Sequence, residues 1–331
     1  MPKYEVSKSP EAPWESIEGV DMNVGGQAVI EGVMMRSPTT IATAVRLPDG
    51  TIELTTRPYI SFAKRHKLDI PVIRGAVNFF EMLVIGLETL NWSADIQMQY
   101  EEREKNGAVK ARTIWNRLAL WGSTAVAFVL AMGLFFALPI YLATLLGLSK
   151  GALLFNFVAG LVRLTLFLLY VLAISKLPDI DRVFRYHGAE HKSIFTLEAS
   201  APLSVDEARL RSRFHPRCGT SFILIVALFS MIIFGIVDSL FPLIFGHIPS
   251  YVERLATHLL VLPFVAGVSY ELLKLSGRFR SHRLTRTLMA PGLWLQGLTT
   301  GEPDDEMLEV ALCALKAALG KETKVGESAA L

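Results

Sequence analysis

The sequence predicts a polytopic α-helical membrane protein with four transmembrane helices and a small α+β cytosolic part. Three observations carry this prediction. Four apolar stretches are each near the roughly 20 residues a helix needs to cross a hydrocarbon core. Hydrophobic residues make up 51% of the 331-residue chain and charged ones 19%, where soluble domains carry about 25% charged residues. Lys and Arg gather outside the apolar stretches, with fourteen in residues 1–117, eight in 175–219 and eight from Lys274 onward.

The pattern divides the chain in order. Residues 1–69 form a cytosolic N-terminal part, in which "IATAVRLPDGTIELTTR" alternates apolar and polar positions around a Pro-Asp-Gly turn. That is a β-hairpin signal. Just before it, "NVGGQAVIEGVMMRSP" is apolar and glycine-containing, but it lacks the spacing of a phosphate-binding loop. Residues 70–105 read as one amphipathic interfacial helix. Its polar positions, Arg74, Asn78, Glu81, Glu88, Asn91, Asp95 and Gln99, draw a narrow stripe on an apolar rod. Residues 118–174 form a first transmembrane hairpin closed by "GLSKG", and 221–275 form a second. Between them lies a cytosolic loop, 175–219. A cytosolic helical part, 276–331, closes the chain, with Pro303 and three acidic residues at the start of its helix. Cys313 belongs to the apolar face of that helix.

Basic segments stay cytosolic during insertion, so both termini and the middle loop are expected in the cytosol. The first 21 residues are polar and carry no signal-peptide core. A net charge of +2 gives no reason to expect a nucleic-acid partner. Two cysteines make no disulfide scaffold and favour a reducing compartment. Arg163 falls mid-span, where an ionisable side chain needs a partner or a function; Asp238 in the third span is the expected partner.

The middle loop holds the chemistry. His187-x-x-Glu190-His191 puts two imidazoles on one helix face with a carboxylate beside them. His215-Pro-Arg-Cys218 follows after a stretch with room for a helix that folds back. Imidazole and thiolate suit a divalent metal, zinc foremost. Three readings stay open on spacing alone. Four ligands, His187, His191, His215 and Cys218, close a structural site. Alternatively three ligands leave an open position, with Glu190 as catalytic proton carrier. Or the side chains bind no ion and pack at the membrane interface.

Four motifs, "GGQAVIEGVMMRSP", "RYHGAEHKSI", "HPRCGTSF" and "GLWLQGLTTGEPDDEMLEVA", resemble the YqhQ family of bacterial membrane proteins in that order, over about residues 22–319. The resemblance implies a multi-pass protein of the bacterial cytoplasmic membrane and a metal-dependent enzyme without an established reaction. Carried over by position, His187, Glu190, His191, His215 and Cys218 fall in its motifs, and so does Glu31, a second candidate catalytic carboxylate. The expectation is a metal-dependent hydrolase acting on a lipid or membrane peptide at the cytosolic face of the bilayer. The alternative is a non-enzymatic factor for membrane-protein insertion or assembly, with a structural metal. A transporter ranks third, since one intramembrane charge gives little support for a transport path.

Overall fold

The computed structural model describes residues 24–106, 114–147, 153–278 and 283–321. The polar N-terminal start and most of the "GLSKG" turn lie outside them. Four strands come first: β1 (Gly25–Val29), β2 (Gly32–Arg36), β3 (Thr40–Arg46) and β4 (Ile52–Pro58). The helices follow as α1 (Phe62–Arg65), α2 (Ile73–Asn106), α3 (Ile114–Met132), a π-helical turn at Gly133–Ala137, α4 (Leu138–Leu145) and α5 (Leu153–Ile174). Then come α6 (Pro178–Glu198), α7 (Val205–Arg209), α8 (Gly219–Phe245), α9 (Tyr251–Arg278), α10 (Arg283–Thr299) and α11 (Asp305–Ala318). Two compact units result: residues 1–60, 181–221 and 275–331 form one, and 61–180 and 222–274 the other.

The first unit is built on an antiparallel meander in the order β1-β2-β3-β4. The expected hairpin is β3–β4, registered Val45 to Glu53 and Ala42 to Thr56. Asp49 closes its turn by accepting from the Thr51 amide at 2.9 Å, and Gly50 takes the positive φ of +87° that the turn needs. The glycine-rich run before it is a second hairpin, with Val29 paired to Gly32 across Ile30 and Glu31. Strand β2 is buried on both faces, which erases the period-two alternation by which strands are recognised in a sequence.

Helix α11 packs on β2 and β3, and Val33, Met35, Ala42 and Ala44 share a core with Tyr186, Ala189, Leu308, Ala311 and Leu312. Asp304 caps α11, accepting from the Met307 amide at 2.9 Å, and also pairs with Arg185 at 3.0 Å. Asp304→Ala is therefore expected to destabilise this unit by about 1 kcal/mol, measurable by urea denaturation of the full chain in detergent. Cys313 is buried in the same core, and burial pushes its thiol up to about 11. It packs as a small hydrophobe.

Among the described residues, four helical stretches are long and apolar enough to cross a membrane: Ala125–Leu145, Leu154–Ile174, Phe222–Phe245 and Tyr251–Leu275. Helix α2 lies along α9. A Cβ on Gly75 would meet the Gly267 carbonyl oxygen at 2.7 Å, so only glycine permits this crossing. The first polar positions of α2 face protein neighbours, whereas Glu88 and Asn91 are exposed. Arg74 grips Glu271 with two bonds of 2.7 and 2.6 Å, and Asn78 donates to the Tyr270 hydroxyl at 3.3 Å. Phe80, Leu83, Val84 and Leu87 face outward and are exposed.

Arg163 does not form the expected ion pair. Its Nε donates to the Phe135 carbonyl at 2.7 Å, an oxygen within the π-helical turn, where the regular hydrogen-bond ladder is interrupted. Its guanidinium lies over the rings of Phe136 and Phe234 at 4.9 and 5.6 Å. Asp238 pairs instead with Arg254 at 3.2 Å. Arg254 belongs to α9 rather than to a turn and is 1% exposed.

Candidate metal centre

Helix α6 carries the first motif. From Tyr186 to Glu198 it is buried except for His187, which is half-exposed. The turn after α7 carries the second motif, closed by the Cys218 amide donating to the His215 carbonyl at 3.2 Å. Ser204 caps α7, the short helix that folds the chain back between them. Gln296 of α10 fixes this turn from both sides. Its Oε1 accepts from the His215 amide and its Nε2 donates to the His215 carbonyl, both at 2.8 Å.

These elements gather His187, His191 and Cys218, whose ligand atoms all lie within 4.8 Å of one another. His187 Nδ1 lies 2.8 Å from the Thr299 carbonyl, and His191 Nδ1 lies 2.5 Å from the Arg213 carbonyl. A carbonyl only accepts, so each Nδ1 carries the proton and each Nε2 presents a lone pair. His187 Nε2 stands 3.2 Å from Cys218 Sγ. His191 Nε2 is buried and has no hydrogen-bond partner. Backbone carbonyls that set the tautomer of two histidines while their outer nitrogens converge are the usual support of metal-binding imidazoles.

The electrostatics agree with a thiolate ligand. Burial works to raise the Cys218 thiol, but the His191 ring, the Thr220 hydroxyl and the Thr220 amide outweigh it, and hold Cys218 below the ordinary thiol range. Thr220 Oγ1 is 3.1 Å from the sulfur. Burial holds His191 below the usual imidazole range. Glu190 is 5% exposed, and burial pushes its carboxyl up to about 7, against the pull of His187 and the Gly26 amide. A Cβ on Gly26 would stand 2.9 Å from Glu190 Cγ, so glycine in β1 makes room for this carboxyl.

Two candidate residues stand apart from the cluster. His215 Nδ1 accepts from the Arg217 amide at 3.3 Å, and its Nε2 faces Glu198 at 3.4 Å. Its ring centre is 5.6 Å from that of His191, beside the group rather than in it. Glu31 sits in the β1–β2 turn at φ 52°, an unusual conformation for a non-glycine residue. Its carboxylate is held by Arg182 at 2.5 Å and by the Tyr186 hydroxyl at 3.4 Å. Spacing did not reveal Gln296 or Thr299; the one sequence signal for them was a polar Gln-x-x-Thr in the otherwise apolar "GLWLQGLTT".

Fold and cluster together define a helical protein with four candidate membrane spans, an antiparallel sheet unit and a buried His-His-Cys group. The chain belongs to the family described as "Protein of unknown function (DUF1385)", whose model matches residues 70–321. It is 33% identical over 308 residues to "Uncharacterized protein YqhQ" of Bacillus subtilis (strain 168), which covers 87% of this chain and 89% of that relative. No solved structure matches.

Proposed function

We propose that the cluster binds a divalent metal, most naturally zinc, through His187, His191 and Cys218, and that the protein is a membrane hydrolase. The observation that carries this is the pair of histidines with Nδ1 tied to backbone and Nε2 aimed at one thiol. Zinc bonds of about 2.0–2.3 Å put ligand atoms within about 4 Å of one another, and the donor set is one zinc favours. Three ligands among the described residues favour an open, catalytic site over a closed, structural one. A metal bound there supplies Lewis acidity and an activated water.

The residues of the chain do the rest. Glu190 holds or gives up a proton near neutrality, as a general base or acid must. Half-exposed His187 marks the side from which substrate arrives. The distribution of Lys and Arg supports a multi-pass protein of the bacterial cytoplasmic membrane with both termini in the cytosol. The cluster then faces the cytosol, and a lipid or membrane peptide is the substrate class within reach.

Glu190→Gln tests the reading. The full chain, in nanodiscs made from bacterial membrane lipid and peptide extract, is expected to release products detectable by mass spectrometry. The variant should keep stoichiometric metal and lose about 10²- to 10⁴-fold in rate. Equal product from the variant, or loss of its metal, would assign Glu190 a different role.

A further inference from the structure

The segment before α2 leaves charge and apolar surface exposed side by side. Lys64, Arg65, His66 and Lys67 are consecutive, and all four are exposed. Around them Phe62 is 48% exposed, Ile70 55% and Ile73 46%. Among the described residues, Lys64, Arg65 and Lys67 form no ion pair. The one carboxylate of the stretch, Asp69, faces Arg74 at 3.4 Å instead. Water alone would leave the apolar side chains uncovered, and hydrocarbon alone would make the cations costly.

The segment is held in place by α2. Ser61 Oγ donates to Asn78 Oδ1 at 3.0 Å, and Glu81 Oε1 accepts from the Phe62 amide at 2.8 Å. Ala63 is buried, and the Phe62 ring packs on His66 with centres 4.1 Å apart. A surface that is already ordered loses little entropy when something docks on it.

Two contacts fix its level along the spans. Helices α8 and α9 are joined by the short turn 246–250, so the start of α8 and the finish of α9 share one end. Phe79 meets Phe222 at the start of α8, with ring centres 5.7 Å apart. Arg74 grips Glu271, four residues before the candidate span in α9 stops at Leu275. At 1.5 Å per residue that is about 6 Å. The first turns of α2 therefore cross this end of the hairpin. Where the spans cross a bilayer, that is the depth at which hydrocarbon gives way to headgroups. Lys274 is exposed at the same end and adds a further cation.

Basic and apolar side chains mixed at that depth complement one kind of surface, whose phosphates answer the cations and whose upper acyl chains receive the apolar groups. We propose that residues 62–73 are a docking surface for anionic phospholipid of the bilayer. Lys64, Arg65 and Lys67 meet the headgroups, and Phe62, Ile70 and Ile73 enter the outer acyl region. The metal centre has no part in this.

A benzoylphenylalanine photoprobe in place of Phe62 tests it, in the full chain reconstituted into vesicles of equal phosphatidylglycerol and phosphatidylcholine. Mass spectrometry after illumination identifies what the probe has captured. The expected result is lipid, with phosphatidylglycerol favoured by about fivefold or more, the factor one cation near an anionic surface supplies. Lys64→Gln, Arg65→Gln and Lys67→Gln together should bring the ratio close to one. Salt at about 1 M should do the same with the cations in place, because it screens them. Equal capture of the two lipids at low salt overturns the proposal, and so does capture of protein in place of lipid. Selectivity that survives the triple substitution overturns it too. Should that variant fail to fold, the salt series decides.

Discussion

His191→Ala is expected to abolish stoichiometric zinc, lowering affinity by more than about 100-fold, while His215→Ala keeps the metal. A lost partner behind a metal-binding histidine already costs about 10- to 100-fold, and His191 is predicted to be a ligand itself. Its Nε2 is a buried nitrogen without a hydrogen bond, and its ring belongs with His187 and the Cys218 sulfur to one group of ligand atoms within 4.8 Å of one another, which does not include His215. His215 turns both ring nitrogens elsewhere, to the Arg217 amide and to Glu198. Competition with a chromogenic chelator and elemental analysis of the purified variants would measure both. Zinc retained by His191→Ala, or lost from His215→Ala with the fold intact, would refute the three-ligand assignment.

Gly188→Val is expected to destabilise the first unit by about 3 kcal/mol or more and to remove the metal with it. A Cβ at Gly188 would stand 2.0 Å from the Gly301 carbonyl oxygen and 3.3 Å from Pro303 Cδ. The obstacle is backbone, held in place because the Gly301 amide donates to the Phe184 carbonyl at 2.7 Å. Overpacking a tight contact typically costs about 1–3 kcal/mol, and here neither side can yield by changing a rotamer. The same segment presents the Thr299 carbonyl that orients His187. Gly25→Ala, with open space around its missing Cβ, is the control and should stay within about 0.5 kcal/mol. Thermal unfolding of the two variants in detergent would separate them.

The spans, the β3–β4 hairpin and the C-terminal helix were legible because each obeys a local rule: apolar length, period-two alternation around Pro-Asp-Gly, and an acidic N-terminus behind Pro303. The β1–β2 hairpin was hidden, since strands covered on both faces lose their alternation. In the site, the HxxEH helix and Cys218 declared themselves by residue type and spacing. That the His215 ring would lie beside this group rather than in it was not legible, because ring direction depends on an amide two residues away and on Glu198, far along the chain. The pairing of Asp238 with Arg254 was missed for a similar reason. Arg254 sits at an end that hydropathy assigns to a loop, and only tertiary packing brings it to the carboxylate.

The sheet unit is drawn from three stretches, residues 1–60, 181–221 and 275–331, with pairs of candidate spans between them. Strands β2 and β3 meet their covering helix α11 only after some 260 intervening residues have been synthesised. Until then the newborn strands lack the helix that packs directly on them, and their apolar faces stay partly bare. Completion of the sheet unit must therefore be a late event, finished after the last helix leaves the ribosome. Premature termination anywhere before Asp305 should yield an aggregation-prone fragment rather than a partly working protein.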